Sequence, residues 1–230
     1  MTRRYNSLDA KNRILSASVK MFIEKGYGAS RMLDIIKDAD VSAGTFQNIF
    51  HTKDGVLQTL AEFMFDNQFA IAKKVIKNSK SPVYFYATET AIQLAITELD
   101  ENLREIYVEA YSNQKIAEYI YQRTSSELRD IFGNYLPNAT EGDFYELDIG
   151  TCGLMRAYMS RPCDKYFTLQ RKTDCFLGIA LSAYNVPEEE KEEIINYIRS
   201  TDILPAANAV IQELFKQLSV RFDFVLSTNK

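Results

Sequence analysis

The stretch Arg31–Lys53, RMLDIIKDADVSAGTFQNIFHTK, decides the fold. It reads as two short helices around a tight turn. Met32, Ile35, Ile36 and Ala39 recur at helical spacing. Ser30 is placed to cap that first helix through its hydroxyl oxygen. Asp40 and Val41 carry the turn, and Ser42 is placed to cap a second helix over about 43–50. Two helices joined in this way make a helix-turn-helix, whose second helix enters the DNA major groove.

The second helix divides into two faces at about 100° per residue. With Phe46 at the centre of the buried side, Phe50 and Ile49 fall beside it and Ala43 lies at the margin. Gly44, Thr45, Gln47, Asn48 and His51 fall opposite. Gln and Asn amides present a donor beside an acceptor, the pair that reads the N6/N7 edge of adenine. An ordinary solvated helix face has the same composition, so the flanking helices matter.

Upstream, Ile14, Ala17 and Met21 with Leu15, Ser18 and Phe22 form a stripe that predicts a first helix from about Leu8 to Lys25. Gly26 stands where a left-handed C-terminal cap is expected, and Tyr27 packs back on the core. Ile14, Phe22, Ile35, Val41, Phe46 and Phe50 supply a core for three helices. Downstream, Thr52 is placed as the cap of a fourth helix that continues to about Asn78. Lys53 in its first turn opposes the helix dipole, which suits an exposed lysine meeting a phosphate oxygen.

Over about 50 residues this region resembles the N-terminal domain of the TetR family of bacterial transcriptional regulators. The resemblance rests on Arg13-Ile14-Leu15, Phe22, Lys25-Gly26-Tyr27, Ile35, Ala39, Val41-Ser42, Gly44-Thr45, Phe50, Lys53 and Leu57. Asp40 stands where the family usually has glycine, and Asp tolerates a left-handed backbone better than most residues. Gln47 and Ile49 replace aromatics that often touch the DNA backbone. The resemblance implies an all-α fold. A three-helix DNA-binding head (residues 1–52) is joined by helix 4, about 53–78, to a helical effector-binding and dimerisation body (residues 53–230).

The chain has 27 Lys and Arg against 31 Asp and Glu, a net charge of −4. Residues 1–60 carry a net +3 and the remainder −7. Phosphate binding needs a local positive field rather than a basic whole protein. Cys152, Cys163 and Cys175 lack C-x-x-C spacing and are expected to be free thiols. No apolar run is long enough to span a bilayer. The start, MTRRYNS, lacks the apolar segment of a signal peptide, so a cytoplasmic location without membrane partners is expected.

Beyond Pro82 no strand pattern or repeat stands out. Helices are expected near 83–99, 102–112, 114–135, 143–160, 166–185, 188–200 and 203–226. Glu188 to Glu193 looks like an acid patch and, after Pro187, reads as an acidic first turn that suits the helix dipole. The body is rich in tyrosine and phenylalanine. Tyr84, Tyr107, Tyr111, Tyr119, Tyr145 and Tyr158 are candidates to line an effector pocket, although aromatics at helical spacing are more often plain core. Phe176, Ile179, Ala180 and Ala183 on one late helix, with Ile211, Leu214 and Leu218 on the last, are candidates for a dimer interface. A helix apolar nearly all round is buried in its own chain or in a partner. The resemblance implies a four-helix interface built from two such helices per chain.

A single histidine, His51, excludes a multi-histidine metal site and a Ser-His-Asp triad in the body. No glycine-rich phosphate loop appears. Neither an enzyme nor a cofactor nor a metal is expected. The expected activity is that of a sequence-specific regulator, a repressor binding a palindromic operator as a homodimer and responding to a small apolar or aromatic effector. The alternative is a DNA-bound adaptor whose body recruits a protein partner. Gln47 and Asn48 are the expected base readers, and Thr45 meets a base or a phosphate. Arg31, His51 and Lys53 are expected on phosphates, and Arg3 or Arg4 in the minor groove. Without Lys or Arg on the recognition helix, the contacted bases should lean to A·T.

Overall fold

A computed structural model describes residues 2–75 and 81–219. The described residues form eleven α-helices and no strand. The helices are α1 (Thr2–Lys25), α2 (Met32–Asp38), α3 (Ala43–Ile49), α4 (Lys53–Val75), α5 (Pro82–Leu99), α6 (Glu101–Ser112), α7 (Gln114–Phe132), α8 (Glu141–Ser160), α9 (Leu169–Ala183), α10 (Glu188–Arg199) and α11 (Ile203–Ser219). The expected tail of helix 4 at 76–78 and of the last helix beyond 219 lies outside the described residues.

Local chemistry sets these boundaries. Gly26, at φ 87°, ends α1 and its N–H bonds to Phe22 O at 3.0 Å, the left-handed stop that glycine adopts without penalty. Asp100 caps α6 by accepting from the N–H groups of Asn102 and Leu103. Thr140 and Asp143 close a reciprocal capping box on α8, and these bonds hold the Asp143 carboxyl below its usual range. Three acidic residues fill the first turn of α10, where the free N–H groups favour negative charge. The first helix starts earlier than Leu8. It runs from Thr2, so the Arg3-Arg4 segment is helical backbone rather than a free arm. The side chains of Arg3 and Arg4 lie outside the described residues.

Helices α1–α3 pack round Ile14, Phe22, Ile35, Ala39, Phe46 and Phe50, all buried. In the body, α5 is the central rod. Every residue from Val83 to Thr97 is buried, and α6, α9, α10 and α11 all pack on it. A helix enclosed on all sides loses water from both its apolar and its polar positions, so its polar residues must find partners inside. One buried ion pair ties the end of this rod to α9. Lys172, fully buried, donates to Glu98 at 2.5 Å and to the Arg161 carbonyl, while Arg104 bonds the other Glu98 oxygen at 3.2 Å.

The last helix departs from expectation. Ile211 and Leu214 are buried within the chain, where α11 packs on α4 and α5. Phe176 and Ala180 on α9 are buried in the same way. These four residues therefore belong to the chain's own core rather than to a dimer surface. Ile179 and Ala183 remain exposed, and the side chain of Leu218 lies outside the described residues.

Candidate nucleic-acid interface and body cavity

Ser42 caps α3, its oxygen accepting from Thr45 N at 3.0 Å. The helix buries Phe46 and leaves Gly44, Gln47 and Asn48 exposed, with Thr45 half-buried and its hydroxyl held 2.8 Å from that of Ser42. Arg31 and His51 are exposed on either side of this surface, His51 at φ 61°. Asp40 adopts φ 49° in the turn, the left-handed backbone that the sequence required there.

Two expectations fail in detail. Ser30 does not cap α2. Arg31 occupies the cap position without a side-chain bond, and the buried Ser30 hydroxyl donates instead to Gly26 O at 2.6 Å. Lys53 is not a free, exposed cation. It is half-buried, donates to the carbonyls of Tyr27 at 2.7 Å and Ser30 at 3.0 Å, and sits 4.2 Å from the Tyr27 ring centre. An ammonium has three donors, so one direction remains for a phosphate.

Arg13 is a residue whose role the sequence reading missed. From α1 its guanidinium donates to the carbonyls of Ala39 at 2.9 Å and Asp40 at 2.7 Å. It therefore satisfies the end of α2 and the turn together, and fixes the angle at which α3 leaves. Glu105 on α6 holds the other end of the head, accepting from the N–H groups of Tyr27 and Gly28. Asn102 adds a bond to Ile23 O at 2.7 Å. Tyr27 also donates its hydroxyl to Asp54 at 2.5 Å. Burial and that carboxylate push its pKa far up, so the phenol stays a donor.

The body holds a cavity between α4, α5, α6, α7 and α8, with about 520 Å³ free of protein atoms, part of it open to solvent. Its walls include Phe65 of α4, Tyr86, Glu89 and Gln93 of α5, Tyr111 of α6, Thr124 of α7, and Asp148 and Cys152 of α8. The Tyr111 hydroxyl donates to Gln93, and the Gln93 amide donates in turn to Glu89 at 2.7 Å. Asp148 accepts from Thr124 and from the Cys152 thiol at 3.3 Å. Its carboxyl is pushed up to about 6, because desolvation outweighs the three side-chain hydrogen bonds that favour ionisation. Below it the Phe132 and Tyr184 rings stack at 4.1 Å and Tyr86 meets Phe132 edge-on.

Of the six tyrosines expected at a pocket, Tyr111 lines this cavity, and Tyr107 lines a smaller hollow between α4 and α6 that Tyr111 also borders. The others lie outside its walls. Tyr84 packs on Tyr197, Tyr145 bonds Glu118 and meets Tyr121, and Tyr158 stacks on Phe167. Tyr119 is half-buried on α7 away from the lining. The missed residues are Glu89, Gln93, Thr124 and Asp148. Glu89 and Gln93 were the readable signal, polar residues one turn apart in a helix with no solvent face.

A three-helix head with an exposed polar second helix of a helix-turn-helix, continued by α4 into a hollow helical body, defines a two-part helix-turn-helix architecture. Residues 14–60 match the family model described as bacterial regulatory proteins, tetR family. The chain is similar to two Bacillus subtilis (strain 168) proteins. One is named "Uncharacterized HTH-type transcriptional regulator YuxN", 27% identical over 92 residues, which are 40% of this chain and 30% of that protein. The other is named "Probable HTH-type transcriptional regulator YttP", 22% identical over 170 residues, 72% of this chain and 75% of that protein. The match thus spans less than a third of the first relative's length. The fold is similar to crystal structures of RolR. With resorcinol bound the TM-score is 0.66 at 17% identity, covering 84% of this chain and 95% of that one. Without ligand it is 0.60 at 19% identity, covering 80% and 95%. The family model describes regulatory proteins, and both relatives are named as HTH-type transcriptional regulators. Among the described residues no helix is long and apolar enough to cross a membrane.

Proposed function

We propose that the chain is a dimeric, ligand-responsive repressor that reads a roughly palindromic operator and changes its grip on it when a small molecule fills the body cavity. One observation carries this reading. Phe65, in a cavity wall, belongs to α4, and α4 begins at Lys53, directly after the recognition helix and its left-handed His51. A ligand that moves this wall acts on the lever that positions the reading surface. It shifts operator affinity only by its preference for one of the two lever positions.

The division falls at residues 52/53, with α4 shared. Gln47 and Asn48 read base edges. Thr45 meets a base or phosphate, and Arg31, His51 and the remaining donor of Lys53 hold phosphates, joined by Arg3 or Arg4. For the dimer, α8 and α9 supply the face. Ile149 and Ile179 are the large apolar residues exposed there, and nothing stands within 4 Å of a Cβ built on Gly150, Gly153 or Gly178. Such a face admits close approach of the same helices from a second copy. The cavity supports a sensor over an adaptor that recruits a protein partner. RolR, of the same fold, holding resorcinol supports a small aromatic occupant. The chain works in the cytoplasm in this reading.

The test is selection of bound duplexes from a random DNA pool by the full chain at fixed salt. An A·T-leaning inverted repeat is expected. A folded dimer that enriches no sequence, in the presence and absence of cavity ligands, would overturn the reading.

A further inference from the structure

We propose that Glu105 is the positioning residue that links the body cavity to the three-helix head, because α6 carries the cavity-lining Tyr111 towards one end and holds the turn before α2 towards the other. This inference rests on the sensor reading and assigns its regulation to a second route beside α4.

Two helices grip the turn from Tyr27 to Ser30. From α6, Glu105 accepts from the N–H groups of Tyr27 and Gly28, and Asn102 donates to Ile23 O near the end of α1. From α4, Lys53 donates to the carbonyls of Tyr27 and Ser30. The approach of α6 is close, since a Cβ built on Gly28 would lie 2.9 Å from Glu105 Oε1. Hydrogen bonds with one charged partner are about twice as strong as neutral ones, so the turn follows either helix when it moves. Helix α2 begins at Met32, directly after this turn and Arg31.

Further along α6, Tyr111 lines the cavity, donates to Gln93 at 2.9 Å and meets the Phe65 ring of α4 edge-on at 5.9 Å. Glu105 and Tyr111 belong to one unbroken helix, about 9 Å apart along its axis at 1.5 Å per residue. The seam between α4 and α6 is a second, independent observation. Leu57, Ala61 and Met64 of α4 face Ile106 and Ala110 of α6 across about 300 Å³ free of protein atoms, part of it open to solvent. Close-packed interiors resist displacement, whereas this seam leaves α6 room to shift against α4. A ligand that displaces Tyr111 therefore moves Glu105 relative to Lys53, and the turn held by both carries the difference to α2.

The test perturbs the cavity wall in the full chain without a ligand. Tyr111→Phe keeps the ring and loses the bond to Gln93. Amide exchange at Tyr27 and Gly28, and affinity for the selected operator, are measured for this change in three backgrounds: Glu105, Glu105→Gln and Glu105→Ala. With Glu105 present, Tyr111→Phe should change both readings by about fivefold or more, the lower end of coupling between linked sites. In Glu105→Ala the change should shrink to within about twofold. Glu105→Gln keeps one acceptor oxygen and should restore part of it. A Glu105 that only stabilises the fold would leave the effect of Tyr111→Phe the same in every background, which overturns the proposal, as does unaltered exchange at Tyr27 and Gly28 in Tyr111→Phe. The exchange reading needs no operator, so it decides the link even where selection enriches no sequence. Resorcinol releasing operator equally from the wild type and Glu105→Ala would keep the sensor and remove the link. Resorcinol that binds the cavity and leaves operator affinity unchanged, with Tyr111 and Glu105 still coupled, would keep the link and remove the sensor.

Discussion

The carboxylate of Glu105 spans the gap between body and head, taking the Tyr27 N–H on Oε2 and the Gly28 N–H on Oε1, each at 2.8 Å. The head is therefore held at two places, through α4 at one end and through α6 at the loop between α1 and α2. Gly26 belongs to the same joint. A Cβ added there would lie 2.5 Å from Glu105 Oε2, on a backbone at φ 87°. Removing the carboxylate in Glu105→Ala should leave both amides to water and cost about 1–3 kcal/mol. Amide hydrogen exchange should rise at Tyr27 and Gly28 and stay unchanged in α8 and α9. Uniform acceleration over the whole chain would mean that the joint is ordinary packing rather than a local clamp.

Arg13 holds the turn before α3 from the side of α1. Its two bonds to the Ala39 and Asp40 carbonyls hold a turn that otherwise depends on the left-handed Asp40. Arg13→Met keeps the aliphatic stem and loses both bonds. The expected cost is about 1–2 kcal/mol of stability, toward the low end of bonds from charged donors because the side chain is partly solvated. Operator affinity should fall equally for all sequences, since the whole of α3 is released rather than one base contact. A loss confined to particular base pairs would place Arg13 on the DNA instead.

These two joints mark the limit of what the chain alone made legible. Most helices and the caps at Ser42 and Gly26 were readable, because those residues act on neighbours a few positions away, whereas Ser30 turns to Gly26 O instead of capping α2 and Thr140 was not foreseen. The turn was readable for the same reason. Arg13 and Glu105 act across 26 to 78 residues of sequence, and no local pattern marks such a bond. The cavity is assembled from residues between Phe65 and Phe176, and most tyrosines near it in sequence face other neighbours. The apolar stripe of α11 was readable as buried, but not as buried against α4 and α5. The exposed face proposed for a second copy carries Gly150, Gly153 and Gly178 beside Ile149 and Ile179, and hydrophobic periodicity passes over such glycines.

That surface gives a separable prediction. Ile179 is 53% exposed on α9 and Phe176, one turn earlier, is 1% exposed. Ile179→Glu should leave helix content and melting of the fold little changed. It should convert the dimer to monomer in sedimentation velocity, because a charge would be buried unpaired at the interface. Phe176→Ala should instead destabilise the fold by about 3–5 kcal/mol, the cost of a large core truncation. An Ile179→Glu protein that remains dimeric would move the interface away from this face of α9.

Asp148 makes the fold's stability depend on pH in a direction opposite to that of most carboxylates. Burial raises its carboxyl from the usual 3.8 to about 6. A raised folded-state value means that the folded chain holds the proton more tightly than the unfolded chain. The stability this supplies is complete below about pH 4 and is lost as the pH rises through about 6. At pH 7.5 the ionised group then costs about 3 kcal/mol as an upper bound. Asn in its place keeps an oxygen to accept from Thr124 and carries no charge. Asp148→Asn should therefore gain about 1–3 kcal/mol in urea denaturation at pH 7.5 and almost nothing at pH 3.5. A gain of equal size at both pH values would show that packing rather than charge separates the two proteins. A loss at pH 7.5 would mean that the ionised carboxylate already has a compensating partner in the folded chain.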